Sequence, residues 1–145
     1  MNNYRYYIGI DTGVNTGLAV WDAKEKKFVL VDTMMIHQAI GYIEWHLALD
    51  GIVLNKNNTF IRVEDARKRK WFGNSGKEKA QGAGSIKRDA KIWEDFLTDN
   101  SYNFEMVAPK DNTTKLDEAF FKKLTGWDKR TSKHSRDAAM LVFKK

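Results

Sequence analysis

The sequence predicts an α/β domain in which a mixed five-stranded sheet carries helices on its faces. Three short apolar runs rich in β-branched and aromatic residues open the chain, with brief links between them, and indicate an antiparallel meander. Strand-like and helix-like patterns then alternate, which indicates two parallel strands joined through helices. The expected order is βββαβαβαα, with residues 1–145 as one domain.

Five segments carry the strand pattern, and turn residues separate the first two. The turn after the first strand contains Gly and Asn, and the chain's only proline, Pro109, closes the last strand. The predicted strands are Tyr6–Asp11, Gly17–Trp21, Lys27–Thr33, Thr59–Glu64 and Phe104–Ala108.

Four segments carry apolar residues at helical spacing. The first helix begins near Ile36 and extends to about Asp50, and the second, from about Ala83 to Leu97, is long. A third helix covers Leu116 to Leu124, and Ser132 caps a last helix from Lys133 to Phe143.

Composition excludes several classes of protein. No apolar run approaches the roughly 20 residues of a membrane-spanning helix, and the N-terminus lacks the pattern of a signal peptide. The absence of cysteine excludes disulfides and thiolate metal sites. We therefore expect a soluble protein of the cytoplasm that does not bind membranes.

Positive charge is concentrated in one part of the chain. Residues 62–91 hold ten Lys or Arg and four Asp or Glu, which equals the net charge of +6 of the whole chain. A charge run alone is more often a solvated helix face, but here aromatic residues and glycines interrupt it, as stacking on bases and pairing with phosphates would require. The candidate DNA-binding residues are Arg67, Lys68, Arg69, Lys70, Trp71, Phe72, Lys77, Lys87 and Arg88.

Acidic residues occupy similar places in three elements. Asp11 and Glu64 end strands, and Asp137 lies in the first turns of the last helix, with His134 three residues earlier on the same helix face. Carboxylates that converge at one sheet edge repel one another unless a cation holds them, and Mg²⁺ prefers oxygen ligands. Two such ions about 4 Å apart can activate a water and stabilise the leaving oxygen of a phosphodiester.

Each acid also has a simpler interpretation. Asp11 can make a tight turn with the Thr-Gly that follows it, Glu64 and Asp65 can face water, and His134 and Asp137 can serve the helix end. Because Asp65 directly follows Glu64, the residues alone leave open which of the two faces a metal. Only the joint placement favours a site.

Several motifs resemble those of the RuvC-type Holliday junction resolvases, in the same order along nearly the whole chain. Ile8-Gly9-Ile10-Asp11-Thr12-Gly13 with Thr16-Gly17-Leu18-Ala19-Val20 is similar to the family's opening hairpin, and Val63-Glu64 resembles its second acid. The remaining matches are Ala80-Gln81-Gly82-Ala83-Gly84, Val107-Ala108-Pro109-Lys110 with Lys115, and His134-Ser135-Arg136-Asp137-Ala138-Ala139.

The resemblance implies a ribonuclease H-like nuclease that cuts branched DNA, most often four-way junctions, as a homodimer. It implies two Mg²⁺ ions, replaceable by Mn²⁺, on Asp11, Glu64, His134 and Asp137, with Lys110 and Lys115 near the scissile phosphate. The chain ends eight residues after Asp137, as in a compact, phage-borne variant. The alternatives are a non-catalytic module that binds branched DNA and an actin- or sugar-kinase-like nucleotide-binding domain.

Overall fold

A computed structural model of the protein describes residues 3–45, 54–69 and 77–145, with the main chain alone for 77–83. The expected order of strands and helices is confirmed. The strands are β1 (Tyr6–Asp11), β2 (Asn15–Asp22), β3 (Lys27–Met35), β4 (Thr59–Glu64) and β5 (Phe104–Val107). The helices are α1 (Ile36–Glu44), α2 (Lys77–Asp99), α3 (Glu118–Thr125) and α4 (Lys133–Met140), with short 3-10 turns at Ala66–Lys68 and Pro109–Asp111.

All five strands form one sheet in the order β3-β2-β1-β4-β5. β1 pairs antiparallel with β2, and β2 pairs antiparallel with β3. On the other side of β1, β4 pairs parallel with it and β5 pairs parallel with β4. The meander and the two parallel strands predicted from the sequence are therefore both present.

The two faces of the sheet bury two separate apolar clusters, because side chains alternate along each strand. Ile8 and Ile10 of β1 pack on the side of α1 and α2, where Trp93 is fully buried. Ala19 and Trp21 of β2 face α3 and α4 on the opposite side. The residues of β1 and β4 that alternate with the first cluster, Asp11 and Glu64 among them, therefore lie on the α4 side.

Some boundaries differ from those predicted. α1 ends at Glu44, and the part predicted to continue to Asp50 lies mostly outside the described residues. β5 ends at Val107, because Ala108 is the N-cap of the 3-10 turn Pro109–Asp111. α4 stops at Met140 and passes into a turn. None of the helices in the described ranges is both long enough and apolar enough to cross a bilayer.

α4 lies in direct main-chain contact with the sheet. A Cβ atom added to Gly9 of β1 would lie 2.0 Å from the carbonyl oxygen of Ala138, and one added to Gly17 of β2 would lie 2.0 Å from that of His134. Both distances are far below van der Waals contact, so only glycine allows this approach. The two glycines therefore set the height of α4 above the carboxyl end of β1.

Candidate active site

Asp11 and Glu64 are direct neighbours at the carboxyl ends of two parallel strands. They are the last pair in the register between β1 and β4, and both are largely buried, with 9% and 6% of their surface exposed. The Thr12 hydroxyl donates to the main-chain oxygen of Glu64 at 3.3 Å and fixes the end of β4 against the turn after β1. Two carboxylates are thus held side by side.

The start of α4 brings a histidine to this pair. The Ser132 hydroxyl caps the helix by accepting a hydrogen bond from the main-chain N–H of Ser135 at 3.1 Å. It is also hydrogen-bonded to the hydroxyl of Thr33 in β3. With the helix end anchored in this way, His134 Nδ1 lies 3.0 Å from Asp11 Oδ2. Almost half of the His134 side chain is exposed, so the ring connects the buried carboxylate to solvent.

Asp137, one turn further along α4, is buried over the same edge. Its Oδ1 accepts from the main-chain N–H of Lys115 at 3.0 Å. Asn112 in the same loop donates from Nδ2 to Glu64 Oε2 at 3.1 Å and to the main-chain oxygen of Asp137 at 3.0 Å. The structure therefore gathers Asp11, Glu64, His134 and Asp137 in one place, as the sequence predicted.

The environment of Asp11 and Glu64 disfavours their ionised forms and raises the pKa of both. The pKa of Asp11 is raised to about 6, chiefly by burial; the hydrogen bond with His134 opposes the shift, and the charges of Glu64 and Asp137 add to it. Burial also raises the pKa of Glu64, and the charge of Asp137 adds to this, while Asn112 and Arg69 oppose it. A nearby cation would offset the free-energy cost of keeping these buried carboxylates ionised.

Asp65 belongs to a different environment. Its carboxylate accepts from Arg67 Nε at 2.8 Å and from Nη2 at 2.9 Å. Burial raises the pKa of Asp65, but these hydrogen bonds outweigh burial and hold it below its ordinary value. Of the two adjacent acids, Glu64 is the one that faces Asp11 and Asp137.

The donor set suits a hard divalent cation, although the present side-chain positions do not yet form a coordination sphere. No group of three His, Asp or Glu side chains in the described ranges is arranged to hold one ion. One oxygen of each acid is hydrogen-bonded to another residue, namely His134 on Asp11, Asn112 on Glu64 and Lys115 on Asp137, and the second oxygen of each has no hydrogen-bond partner among the described residues. Asn112 Oδ1 is buried without a partner among the described residues, and a water bound to a cation could donate to it.

The predicted DNA-binding residues fall into three groups. In the first group, Arg67 forms ion pairs with Asp65 and, at 2.9 Å, with Glu94. The Lys68 ammonium donates a hydrogen bond to the Met106 carbonyl at 2.7 Å. Arg69 acts on Glu64 through its charge, and Lys87 and Arg88 are exposed on α2. The side chains of Lys70, Trp71, Phe72 and Lys77 lie outside what the structure describes.

Exposed cations also lie on two segments that the charge count did not single out, 110–115 and 129–133. Lys110 and Lys115, predicted near the scissile phosphate, are exposed and form no ion pair within the described ranges. The same holds for Lys129, Arg130 and Lys133, which lead into α4. Among the described residues these five cations are therefore free of ion pairs, unlike Arg67.

Comparison with solved structures finds this fold in Thermus thermophilus RuvC. "T. thermophilus RuvC in complex with Holliday junction substrate" has a TM-score of 0.54 at 12% identity, over 97% of this chain and 92% of that one. "Thermus thermophilus RuvC structure" has a TM-score of 0.51 at 14% identity, over 94% and 90%. No protein-family model and no curated protein matches the sequence. The resemblance to RuvC-type resolvases is confirmed as a shared ribonuclease H-like fold.

Proposed function

We propose that the protein is a divalent-metal-dependent endonuclease that cuts branched DNA, with four-way junctions as its principal substrate and a homodimer as its working form. The observation that carries the proposal is the buried pair of Asp11 and Glu64, with Asp137 and His134 of α4 directly beside it. The solved RuvC structure that shares the fold contains a Holliday junction substrate. A four-way junction offers two equivalent strands, which a two-fold dimer matches.

Asp11, Glu64, His134 and Asp137 would hold two Mg²⁺ ions, which Mn²⁺ can replace. When bound, the ions supply a nucleophilic water at neutral pH and stabilise the leaving oxygen. Asp11 orients His134 through Nδ1, so the other ring nitrogen, Nε2, can either bind the second metal or take a proton from the attacking water. Lys110 and Lys115 would offset charge that develops on the phosphate.

The first test is cleavage of synthetic four-way junctions, forks, flaps and plain duplex, each with Mg²⁺ and with EDTA. We expect cleavage of branched DNA in Mg²⁺ alone, and its loss in Asp11→Asn with junction binding intact or tighter. Binding without cleavage under all conditions would instead identify a non-catalytic DNA-binding module. Light scattering of the protein on a junction would test the dimer.

The role of His134 is tested by two substitutions. His134→Ala should lose most of the cleavage rate at neutral pH, because the group that binds the second metal or accepts the proton of the attacking water is removed. His134→Asp should keep measurable activity, because a carboxylate can replace the imidazole as a ligand. Rates of both variants equal to the parent's, in Mg²⁺ and in Mn²⁺, would remove His134 from the mechanism.

A further inference from the structure

The loop between β5 and α3 carries a side chain that links two of the site's acidic elements. Asn112 is partly buried directly after the 3-10 turn Pro109–Asp111. Its Nδ2 uses both hydrogens, one on Glu64 Oε2 and one on the main-chain oxygen of Asp137. One amide group thus joins the end of β4 to α4, across the gap that separates two of the acids.

Among uncharged side chains of this length, a carboxamide is the group that can donate two hydrogen bonds from one nitrogen. Two oxygen acceptors face Nδ2, so the reversed amide would place Oδ1 against both and repel them. A carboxylate of the same shape would add a negative charge beside Glu64 and could not donate either bond. An alanine would leave the Glu64 oxygen free to turn away from Asp137.

We propose that Asn112 is a positioning residue that holds Glu64 in the orientation required for metal binding and fixes its distance from α4. The inference rests on the proposed function, because it assigns Asn112 a role toward the same pair of ions. Groups that orient a metal ligand through a hydrogen bond typically change metal affinity or activity about 10- to 100-fold when removed. Asn112 acts through Glu64 and is expected to leave DNA binding unchanged.

The test compares Asn112→Ala and Asn112→Asp with the parent in three measurements on the full chain. These are Mn²⁺ affinity by calorimetry without DNA, the kcat and KM of junction cleavage, and the urea midpoint in EDTA. Asn100→Ala is the matched control, because Asn100 also donates from Nδ2 to a main-chain oxygen, that of Phe96 at 2.8 Å, but at the far end of β5.

We expect Asn112→Ala to bind Mn²⁺ 10- to 100-fold more weakly and to lose a similar factor in kcat. KM should stay within about twofold, and Asn100→Ala should match the parent in Mn²⁺ affinity and kcat. Asn112→Asp, which keeps the shape but not the donor, should lose at least tenfold in kcat. The readouts besides cleavage separate positioning of the acid from a general effect on the fold.

Two results would overturn this role. Parental Mn²⁺ affinity and kcat in Asn112→Ala, or parental kcat in Asn112→Asp, would show that the amide does not position Glu64. Unfolding of both variants in EDTA would assign Asn112 to stability alone. If the parent itself neither binds Mn²⁺ nor cuts junctions, the proposed function fails with it, so the two failures are distinguishable.

Discussion

Replacement of Asp11 by Asn should stabilise the metal-free protein, although it abolishes the proposed activity. Burial and neighbouring acids raise the pKa of Asp11 from 3.8 to about 6 in the folded chain. A carboxyl whose pKa is raised by folding lowers the stability of the fold when it is ionised, whereas an ionised acid in a salt bridge raises it. Each pKa unit corresponds to about 1.4 kcal/mol, so the cost at neutral pH reaches about 3 kcal/mol at most.

The difference in free energy of unfolding between Asp11→Asn and the parent should depend on pH. Below about pH 4 the Asp11 carboxyl is protonated in both states, so Asp11→Asn and the parent should have similar free energies of unfolding. Between the unfolded value of 3.8 and the folded value of about 6 the parent loses stability relative to the variant, and above that range the difference stays constant. Urea unfolding in EDTA at several pH values from 4 to 7.5 measures this difference.

Asp65→Asn is the matched control, because Asp65 is a buried carboxylate like Asp11 but its pKa is shifted in the opposite direction. Arg67 holds the pKa of Asp65 below its ordinary value, so ionised Asp65 contributes stability above its unfolded pKa and loses that contribution as the pH falls. Asp65→Asn should therefore destabilise the protein at pH 7, by roughly 1–3 kcal/mol. If Asp11→Asn also destabilises the metal-free protein at pH 7, the electrostatic reasoning about the site is refuted.

Two further predictions concern the helix contact and the flanking cations. Gly17→Ala should destabilise the fold by more than about 2 kcal/mol in urea unfolding and stop cleavage, because its Cβ would overlap the carbonyl of His134. Gly84→Ala is the comparison: a Cβ there meets no atom of the described residues within 4 Å, so it should stabilise α2 by up to about 1 kcal/mol. Replacing Lys129, Arg130 and Lys133 by Ala should flatten the slope of log K for junction binding against log salt concentration by about 2 to 3. Arg67→Ala should change this slope by less than about 1, because Arg67 is already paired with Asp65 and Glu94. An unchanged slope for the triple variant would place DNA away from the start of α4.

Elements with strong local patterns were predictable from the sequence. The bounds of β1 and β4 were predicted correctly because apolar alternation and turn residues mark both ends, and this was sufficient to place Asp11 and Glu64 at strand ends. Their register as direct neighbours depends on pairing across more than 50 residues, which no local pattern encodes.

Other features depend on tertiary contacts that the sequence does not display. Asn112 lies in a loop without periodicity, and its role appears only once α4 packs beside β4. Arg67 stands in a run of positive charge, but its partner Glu94 lies 27 residues away, so counting charges could not show that it is already paired. Gly9 and Gly17 were noted as part of motifs, while the carbonyls that exclude a side chain there belong to α4.

The contact of α4 with Gly9 and Gly17 affects which amino-acid substitutions this protein can accept during evolution. Main chain meets main chain at these two positions, so this part of the contact between α4 and the sheet does not depend on the size of a core side chain. Apolar residues elsewhere in both clusters can be exchanged for others of similar volume while the spacing from Asp11 to Asp137 is preserved. Substitutions in the apolar clusters can therefore accumulate without moving the start of α4 relative to the end of β1.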